Sequence, residues 1–141
     1  MTAVMKKGYK TLVAEAEAEI DTLSVAEAVQ ALEEPDVVLV DLRDIRELQR
    51  EGCIPGSIHA PRGMLEFWID PDSPYHNKIF SSGKRFIFFC AAGWRSALAT
   101  QTAQNMGLTP VAHIGGGFTE WKEAQAPTVT LEAWKEARRK S

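Results

Sequence analysis

Residues 85–100 read RFIFFCAAGWRSALAT, and this stretch indicates how the chain folds. Residues 86–89 form an apolar run without alternation, which is typical of a strand buried on both faces of a sheet. Cys90 follows at once, and the next three residues are small. Ser96 begins a predicted helix that runs to Met106, with Gly107 at its end. The stretch therefore predicts a buried strand, a tight loop that begins with a cysteine, and a helix.

The alternation of strand and helix continues on both sides of this stretch. Ser24 with Glu27, and Asp44 with Glu47, each have the spacing of a capping box at a helix start. Residues 37–40 and 111–114 are apolar runs that predict two more buried strands, and Ile58 is the core of a predicted short one. Helices that alternate with buried strands predict an α/β domain with a mainly parallel central sheet.

Composition and charge exclude several classes of protein. The 141 residues suffice for one domain with short appendages, and the net charge of −3 provides no basic field for nucleic acid or an anionic membrane. No apolar run approaches the roughly 20 residues of a membrane span. We read no secretory signal at the N-terminus and expect a cytoplasmic protein whose two cysteines are free thiols.

The surroundings of Cys90 indicate a nucleophile. In open parallel sheets, ligand sites gather where strands end, which is the predicted position of this cysteine. A loop of small residues can point its amide groups inward, and the predicted helix directs its positive end at the same place. Arg95 adds a permanent positive charge. Since each feature stabilises a negative charge, the sequence favours a reactive thiolate over an inert core thiol.

The spacing of the loop bears on which anion it holds. Protein tyrosine phosphatases have five residues between the cysteine and the arginine, whereas only four separate Cys90 from Arg95. The shorter loop suits sulfur carried on the cysteine better than a tetrahedral phosphate. A phosphatase or an arsenate reductase on a similar fold remains an alternative, as does a non-catalytic binding or sulfur-sensing module.

Three segments in order carry a resemblance to a known family. They are VVLVDLRDIRELQREGCIPGSIHAP from residue 37, FCAAGWRSALAT from residue 89 and GLTPVAHIGGGFTEWKEA from residue 107. Together they resemble the single-domain rhodaneses, which are sulfurtransferases. The resemblance implies a parallel sheet with helices on both faces. It covers residues 21–127 as the domain, and it leaves outside a predicted N-terminal helical extension (residues 1–20) and a predicted C-terminal helix (residues 128–141).

The same resemblance implies a reaction. Cys90 would take the outer sulfur of thiosulfate or another sulfane donor as a persulfide and pass it to cyanide or a thiol, with no metal or organic cofactor. Asp41 and Arg43 would support the loops near the site. The histidines at 59, 76 and 113 lack metal-ligand spacing and are expected to be structural or at the surface. The implied substrate-binding residues are Ala91, Ala92, Gly93, Trp94, Arg95 and Ser96.

Some features depart from the family pattern or leave alternatives open. Cys53 stands where the family usually has histidine, and it is either a buried substitute or a second redox thiol. Apart from Arg95 the loop is neutral, which disfavours thiosulfate as the physiological donor. Residues 68–80 form either a lid over the site or a surface loop. The terminal helices would permit a homodimer.

Overall fold

The computed structural model of the chain describes residues 4–140. Residues 1–3 of the predicted N-terminal extension and Ser141 of the predicted C-terminal helix lie outside it. The sheet has the strand order β1-β5-β4-β2-β3, and every pairing in it is parallel, as predicted. The strands are β1 (Asp21–Leu23), β2 (Val37–Asp41), β3 (Ile58–His59), β4 (Arg85–Phe89) and β5 (Val111–Ile114).

Helices fill the connections between the strands. The capping boxes of Ser24 with Glu27 and of Asp44 with Glu47 both form, and each begins the helix that the sequence predicts there. No helix between residues 4 and 140 is long and apolar enough to span a bilayer. The helices are α1 (Tyr9–Glu19), α2 (Val25–Ala31), α3 (Ile45–Glu51), α4 (Leu65–Ile69), α5 (Trp94–Asn105), α6 (Gly117–Glu123) and α7 (Leu131–Lys140), with short 3-10 helices at Arg62–Met64 and Lys78–Ser81.

The core has one apolar layer on each face of the sheet, because successive side chains of a strand point to opposite faces. On β4, Phe86 and Phe88 belong to the layer under α4 and α5, whereas Ile87 and Phe89 belong to the layer under α2 and α6. Both faces of β4 are therefore buried. This explains why its sequence is a continuous apolar run and confirms the prediction of helices on both faces.

Two local features differ from the sequence-based prediction. The short strand β1 was not predicted, since three residues with one apolar side chain carry little signal and the strand exists through its pairing with β5. Helix α5 begins at Trp94 and not at Ser96. Gly93, with φ of 97°, is the residue that caps it, and the Ser96 side chain points inward.

The two terminal helices pack on the domain. Val13 and Ala16 of α1 contact Ala97 of α5 in a small apolar cluster. Leu131 of α7 packs with Leu48 in another, so both helices have buried contacts with the rest of the fold. The limits of the domain at residues 21 and 127 remain a prediction.

Candidate functional site

Cys90 lies directly after β4, at the carboxyl end of the central strand of the sheet. Its side chain is buried, with 1% of the residue exposed. The Gly93 amide donates a hydrogen bond to the sulfur over 3.2 Å, and the Ser96 hydroxyl lies 3.5 Å from it. The loop therefore folds back over the cysteine and presents the Gly93 N–H to it, a contact that favours an anionic sulfur.

The left-handed conformation of Gly93 permits this fold of the loop. At φ of 97°, a side chain would be strained, and a Cβ atom would also meet the carbonyl oxygen of Gly115. Gly117 makes a second close approach, since a Cβ there would lie 2.6 Å from the Cys90 carbonyl oxygen. The Phe118 amide donates to that same oxygen over 2.8 Å. The glycine turn at residues 115–117 thus packs as backbone against the cysteine loop.

Behind the loop, Ser96 connects Cys90 to a buried histidine on β5. The Ser96 hydroxyl lies 2.9 Å from Nδ1 of His113, and Nε2 of the ring lies 3.1 Å from the Thr22 hydroxyl. Ser96 and His113 are fully buried. Burial lowers the pKa of His113 to about 4, so the ring is neutral near pH 7.

Arg95 is fixed by a carboxylate from α3. Its guanidinium donates two hydrogen bonds to Glu47, over 2.7 and 3.0 Å. These bonds raise the pKa of Arg95 above its ordinary value and lower the pKa of Glu47, and the neighbouring Cys90 raises the pKa of Arg95 further. The arginine therefore faces the cysteine, but an adjacent carboxylate balances its charge.

Asp41 and Arg43 form a buried ion pair at the end of β2. The Arg43 side chain donates to both carboxylate oxygens, over 2.9 and 2.7 Å, and to the carbonyl oxygen of Gly52 over 2.8 Å. Its guanidinium also lies 4.1 Å from the centre of the Phe118 ring. These contacts join β2, the turn after α3 and the start of α6, which are the segments around the cysteine loop.

The outer side of the loop borders a cavity of about 420 Å³. Ala91 and Phe118 line its inner wall, and charged side chains from α3 and α6 line most of the rest. Three are basic and three are acidic, so the cavity has no net charge. The charged residues are Arg43, Glu47, Arg50, Glu51, Lys122 and Glu123.

Trp94 extends from the loop toward α1. Its ring is half exposed and stacks at a tilt on Tyr9, with 5.0 Å between the ring centres. Together the two rings border a shallow groove along α1. Trp94 is thus at the rim of the loop, and the predicted N-terminal helix supports it there.

Cys53 lies in a different environment from Cys90. It is buried beside Leu48 and Leu131 under α7, and its backbone pairs with that of Val129. Burial, with a smaller contribution from Asp41, raises the pKa of its thiol to about 11. Of the two readings of Cys53, these surroundings favour the buried substitute.

Residues 68–80 pack away from Cys90. Their ends line a cavity together with residues 106–108, at the C-terminal end of α5. Trp94 is at the other end of that helix, about 18 Å away at the usual rise per residue. His76 is held within the segment, by the carbonyl oxygen of Trp68 and the hydroxyl of Ser81. The segment therefore lies at the opposite end of α5 from the cysteine loop, which disfavours a lid over the site.

The structure brings most of the predicted site residues together and adds three that the sequence analysis left out. Ser96 and Arg95 both face Cys90, whereas Asp41 and Arg43 support the surrounding segments. Among residues 4–140, no cluster of three or more histidine, cysteine or acidic side chains is arranged to hold a metal ion. The added residues are Glu47, His113 and Thr22. Glu47 was predicted only as part of a helix cap, and His113 was expected to be structural or at the surface.

Comparisons with known proteins show which family the chain resembles. The family model of the rhodanese-like domain matches residues 24–124. The chain is 34% identical over 95 residues to mouse thiosulfate sulfurtransferase/rhodanese-like domain-containing protein 3, a match that covers 64% of this chain and 60% of that protein. It is 29% identical over 107 residues to thiosulfate sulfurtransferase GlpE of Pseudoalteromonas translucida, a match that covers 76% of this chain and 93% of that protein.

A solved structure from Rhodopseudomonas palustris is more similar in sequence. It belongs to a protein of unknown function, named as a possible tyrosine phosphatase. The identity is 52% and the TM-score is 0.88, with 92% of this chain and 99% of that chain covered.

The chain therefore belongs to the rhodanese-like domain family, as its three motif segments predict. It spans about 60% of the mouse relative, which is a longer protein.

Proposed function

We propose that this protein is a sulfurtransferase that carries a sulfane sulfur on Cys90 as a persulfide. The observation that carries the proposal is the position of the Cys90 sulfur. It accepts a hydrogen bond from the Gly93 amide and lies beside the Ser96 hydroxyl and Arg95. A sulfur held in this way is stabilised as an anion, and the thiolate is the nucleophilic form of cysteine. Membership of a family with named thiosulfate sulfurtransferases supports the assignment.

The reaction has two displacement steps. The Cys90 thiolate attacks the outer sulfur of the donor, the bond between that sulfur and the rest of the donor breaks, and the leaving group departs with the electron pair. For thiosulfate, the leaving group is sulfite. An acceptor thiolate or cyanide then attacks the outer sulfur of the persulfide, and Cys90 leaves as a thiolate, ready for another cycle.

The residues of the loop have separate roles in this proposal. We assign the amides of residues 91–96 to the anionic sulfur, because the Gly93 amide donates to it and those of residues 94–96 belong to the first turn of α5, where amides have no partner within the helix. Arg95 orients the donor, and Trp94 borders the approach. Asp41 and Arg43 act as supports, because their contacts join the segments around the loop.

The charges around the loop favour a donor with less negative charge than thiosulfate. Glu47 balances the charge of Arg95, and the adjacent cavity has three basic and three acidic side chains. Neither arrangement provides the surplus of positive charge that attracts a dianion. A persulfide on a small thiol or on another protein therefore fits the site better, with thiosulfate as a usable donor in the test tube.

The test is the intact mass of the purified protein after incubation with thiosulfate, and in parallel with a low-molecular-weight persulfide. The wild type and Cys53→Ser are expected to gain one sulfur atom, and Cys90→Ser is expected to gain none. Addition of cyanide should remove the sulfur and release thiocyanate. If no donor adds sulfur to Cys90, the proposal is wrong.

A phosphatase is the second candidate, since the 52% identical protein from R. palustris is named as a possible tyrosine phosphatase. The four residues between Cys90 and Arg95 argue against it, because phosphatases of that kind have five. If the protein hydrolysed an aryl phosphate in a Cys90-dependent reaction and transferred no sulfur, it would be a phosphatase. Full biological function in Cys90→Ser would indicate a non-catalytic binding or sensing module.

A further inference from the structure

A chain of hydrogen-bonding groups runs from the Cys90 sulfur to the surface of the domain. Ser96 lies 3.5 Å from the sulfur and 2.9 Å from His113, and His113 lies 3.1 Å from Thr22. The first three residues are buried, whereas Thr22 is exposed at the edge of the sheet. No part of the reaction proposed above uses His113 or Thr22.

The neutral imidazole gives this chain a direction. A neutral ring carries one proton, on either Nδ1 or Nε2, and the other nitrogen accepts a hydrogen bond. With the proton on Nδ1, His113 donates to Ser96, and the Ser96 hydroxyl is free to donate to an anionic sulfur. With the proton on Nε2, Ser96 donates to His113 and its oxygen accepts the proton of a Cys90 thiol. Each protonation state of the cysteine thus has a matching tautomer of His113.

We infer that His113 is a positioning residue that turns the Ser96 hydroxyl toward the anionic Cys90 sulfur. The Ser96 hydroxyl has a competing acceptor in the Gly93 carbonyl oxygen, 3.3 Å away, and Nδ1 of His113 is a second one when it carries no proton. The imidazole donor fixes the Ser96 oxygen and polarises its hydroxyl, which strengthens the bond to sulfur. Any action of this hydroxyl on a Cys90 persulfide rests on the proposed function, whereas its effect on the Cys90 thiolate does not.

The chain also provides a path for the thiol proton. As Cys90 ionises, its proton moves to the Ser96 oxygen, and the Ser96 proton moves to Nδ1 of His113. The Nε2 proton moves to the Thr22 oxygen, and the Thr22 proton moves to solvent water. One proton leaves the buried site in total, and the tautomer that remains is the one that directs Ser96 to the sulfur.

The paired charged groups near the cysteine have partners other than His113. Arg95 faces the sulfur and is paired with Glu47 from α3. Asp41 and Arg43 at the end of β2 are paired with each other, and Glu120 of α6 lies over Gly116. A change in Cys90 ionisation after substitution at residue 113 is therefore attributable to the chain through Ser96.

The test measures the rate of Cys90 alkylation by iodoacetamide against pH, in a Cys53→Ser background so that one thiol reports. The variants are Ser96→Ala, His113→Leu and His113→Asn. Leucine and asparagine are similar in size, but only the asparagine amide can place a donor near the position of Nδ1. Ser96→Ala and His113→Leu are expected to raise the midpoint of the curve of alkylation rate against pH by about one pH unit. Below the midpoint, this shift corresponds to a roughly tenfold loss of thiolate. His113→Asn is expected to stay near the wild type.

An unchanged midpoint in His113→Leu, or equal shifts in His113→Leu and His113→Asn, would overturn the inference. The double variant Ser96→Ala with His113→Leu should shift the midpoint no further than Ser96→Ala does, since the effect passes through Ser96. Thermal unfolding shows whether each variant is folded. If His113→Leu does not fold, an unchanged midpoint in Ser96→Ala overturns the inference. Alkylation needs no sulfur donor, so this result is readable even where sulfur transfer fails.

Discussion

Glu47 holds Arg95 through two hydrogen bonds, 2.7 and 3.0 Å long, although the two residues are 48 positions apart along the chain. The same carboxylate accepts the Asp44 amide over 3.1 Å in the capping box of α3. One side chain therefore starts a helix and fixes the charged residue of the cysteine loop. The position of α3 thus determines how Arg95 faces Cys90.

Arg95→Lys is expected to raise the KM for thiosulfate roughly fivefold and to lower kcat less. Lysine keeps the charge, but it cannot make the planar two-point contact with Glu47 and so no longer holds a fixed position beside Cys90. Steady-state kinetics of thiocyanate formation provide the measurement. Arg46→Lys is the matched control, because Arg46 is an exposed arginine on α3 whose partner is Asp44. A KM unchanged in Arg95→Lys would contradict the role of the pair.

Gly93→Ala is expected to destabilise the fold by roughly 3 kcal/mol or more and to abolish activity. The added Cβ would be strained at φ of 97° and would meet the Gly115 carbonyl oxygen, which forces the cysteine loop away from the glycine turn. Denaturant unfolding and alkylation of Cys90 measure the two effects.

Gly107→Ala separates backbone strain from contact. Gly107 has φ of 102° but open space around a Cβ, so this variant is expected to lose only about 1–2 kcal/mol and to keep its activity. Equal losses in Gly93→Ala and Gly107→Ala would show that contact with Gly115 has no effect.

The free energy of unfolding is expected to decrease as the pH falls from about 6.5 toward 4. In this range the unfolded chain binds a proton at His113, whose pKa is ordinarily 6.5, while in the folded chain burial has lowered it to about 4. Between about pH 6.5 and 5, the loss amounts to about 2 kcal/mol. Urea titrations across this range should show a smaller loss in His113→Asn, and an equal loss would contradict the neutral buried ring.

Alkaline conditions should destabilise the fold through Cys53. Its pKa of about 11 in the folded chain exceeds the ordinary value of 9.0, so above about pH 9 the unfolded chain releases a proton that the folded chain keeps. The free energy of unfolding should therefore fall by up to about 1.4 kcal/mol for each pH unit. Cys53→Ala removes this contribution, and its urea midpoints should depend less on pH between about 9 and 10. If the urea midpoints of the two proteins depended equally on pH, Cys53 would ionise as readily in the folded chain as in the unfolded chain.

Local sequence determined much of the fold and the position of the proposed nucleophile. The apolar runs of β2, β4 and β5 were recognisable because strands buried on both faces need apolar side chains at every position. Ser24 and Asp44 marked two helix starts, since a capping box requires only residues three positions apart. Cys90 was predicted as the nucleophile because its loop and the following helix are adjacent to it along the chain.

Tertiary structure alone decided the partners of these residues. Glu47 and Arg95 lie 48 residues apart, and their contact depends on the packing of α3 beside the start of α5. The link from Ser96 to His113 depends on α5 lying next to β5, and Thr22 joins it because β1 pairs with β5. Such contacts leave no periodicity or motif in the sequence. The sequence therefore determined which cysteine lies at the end of the central strand, whereas the packing of distant segments decided which groups surround its sulfur.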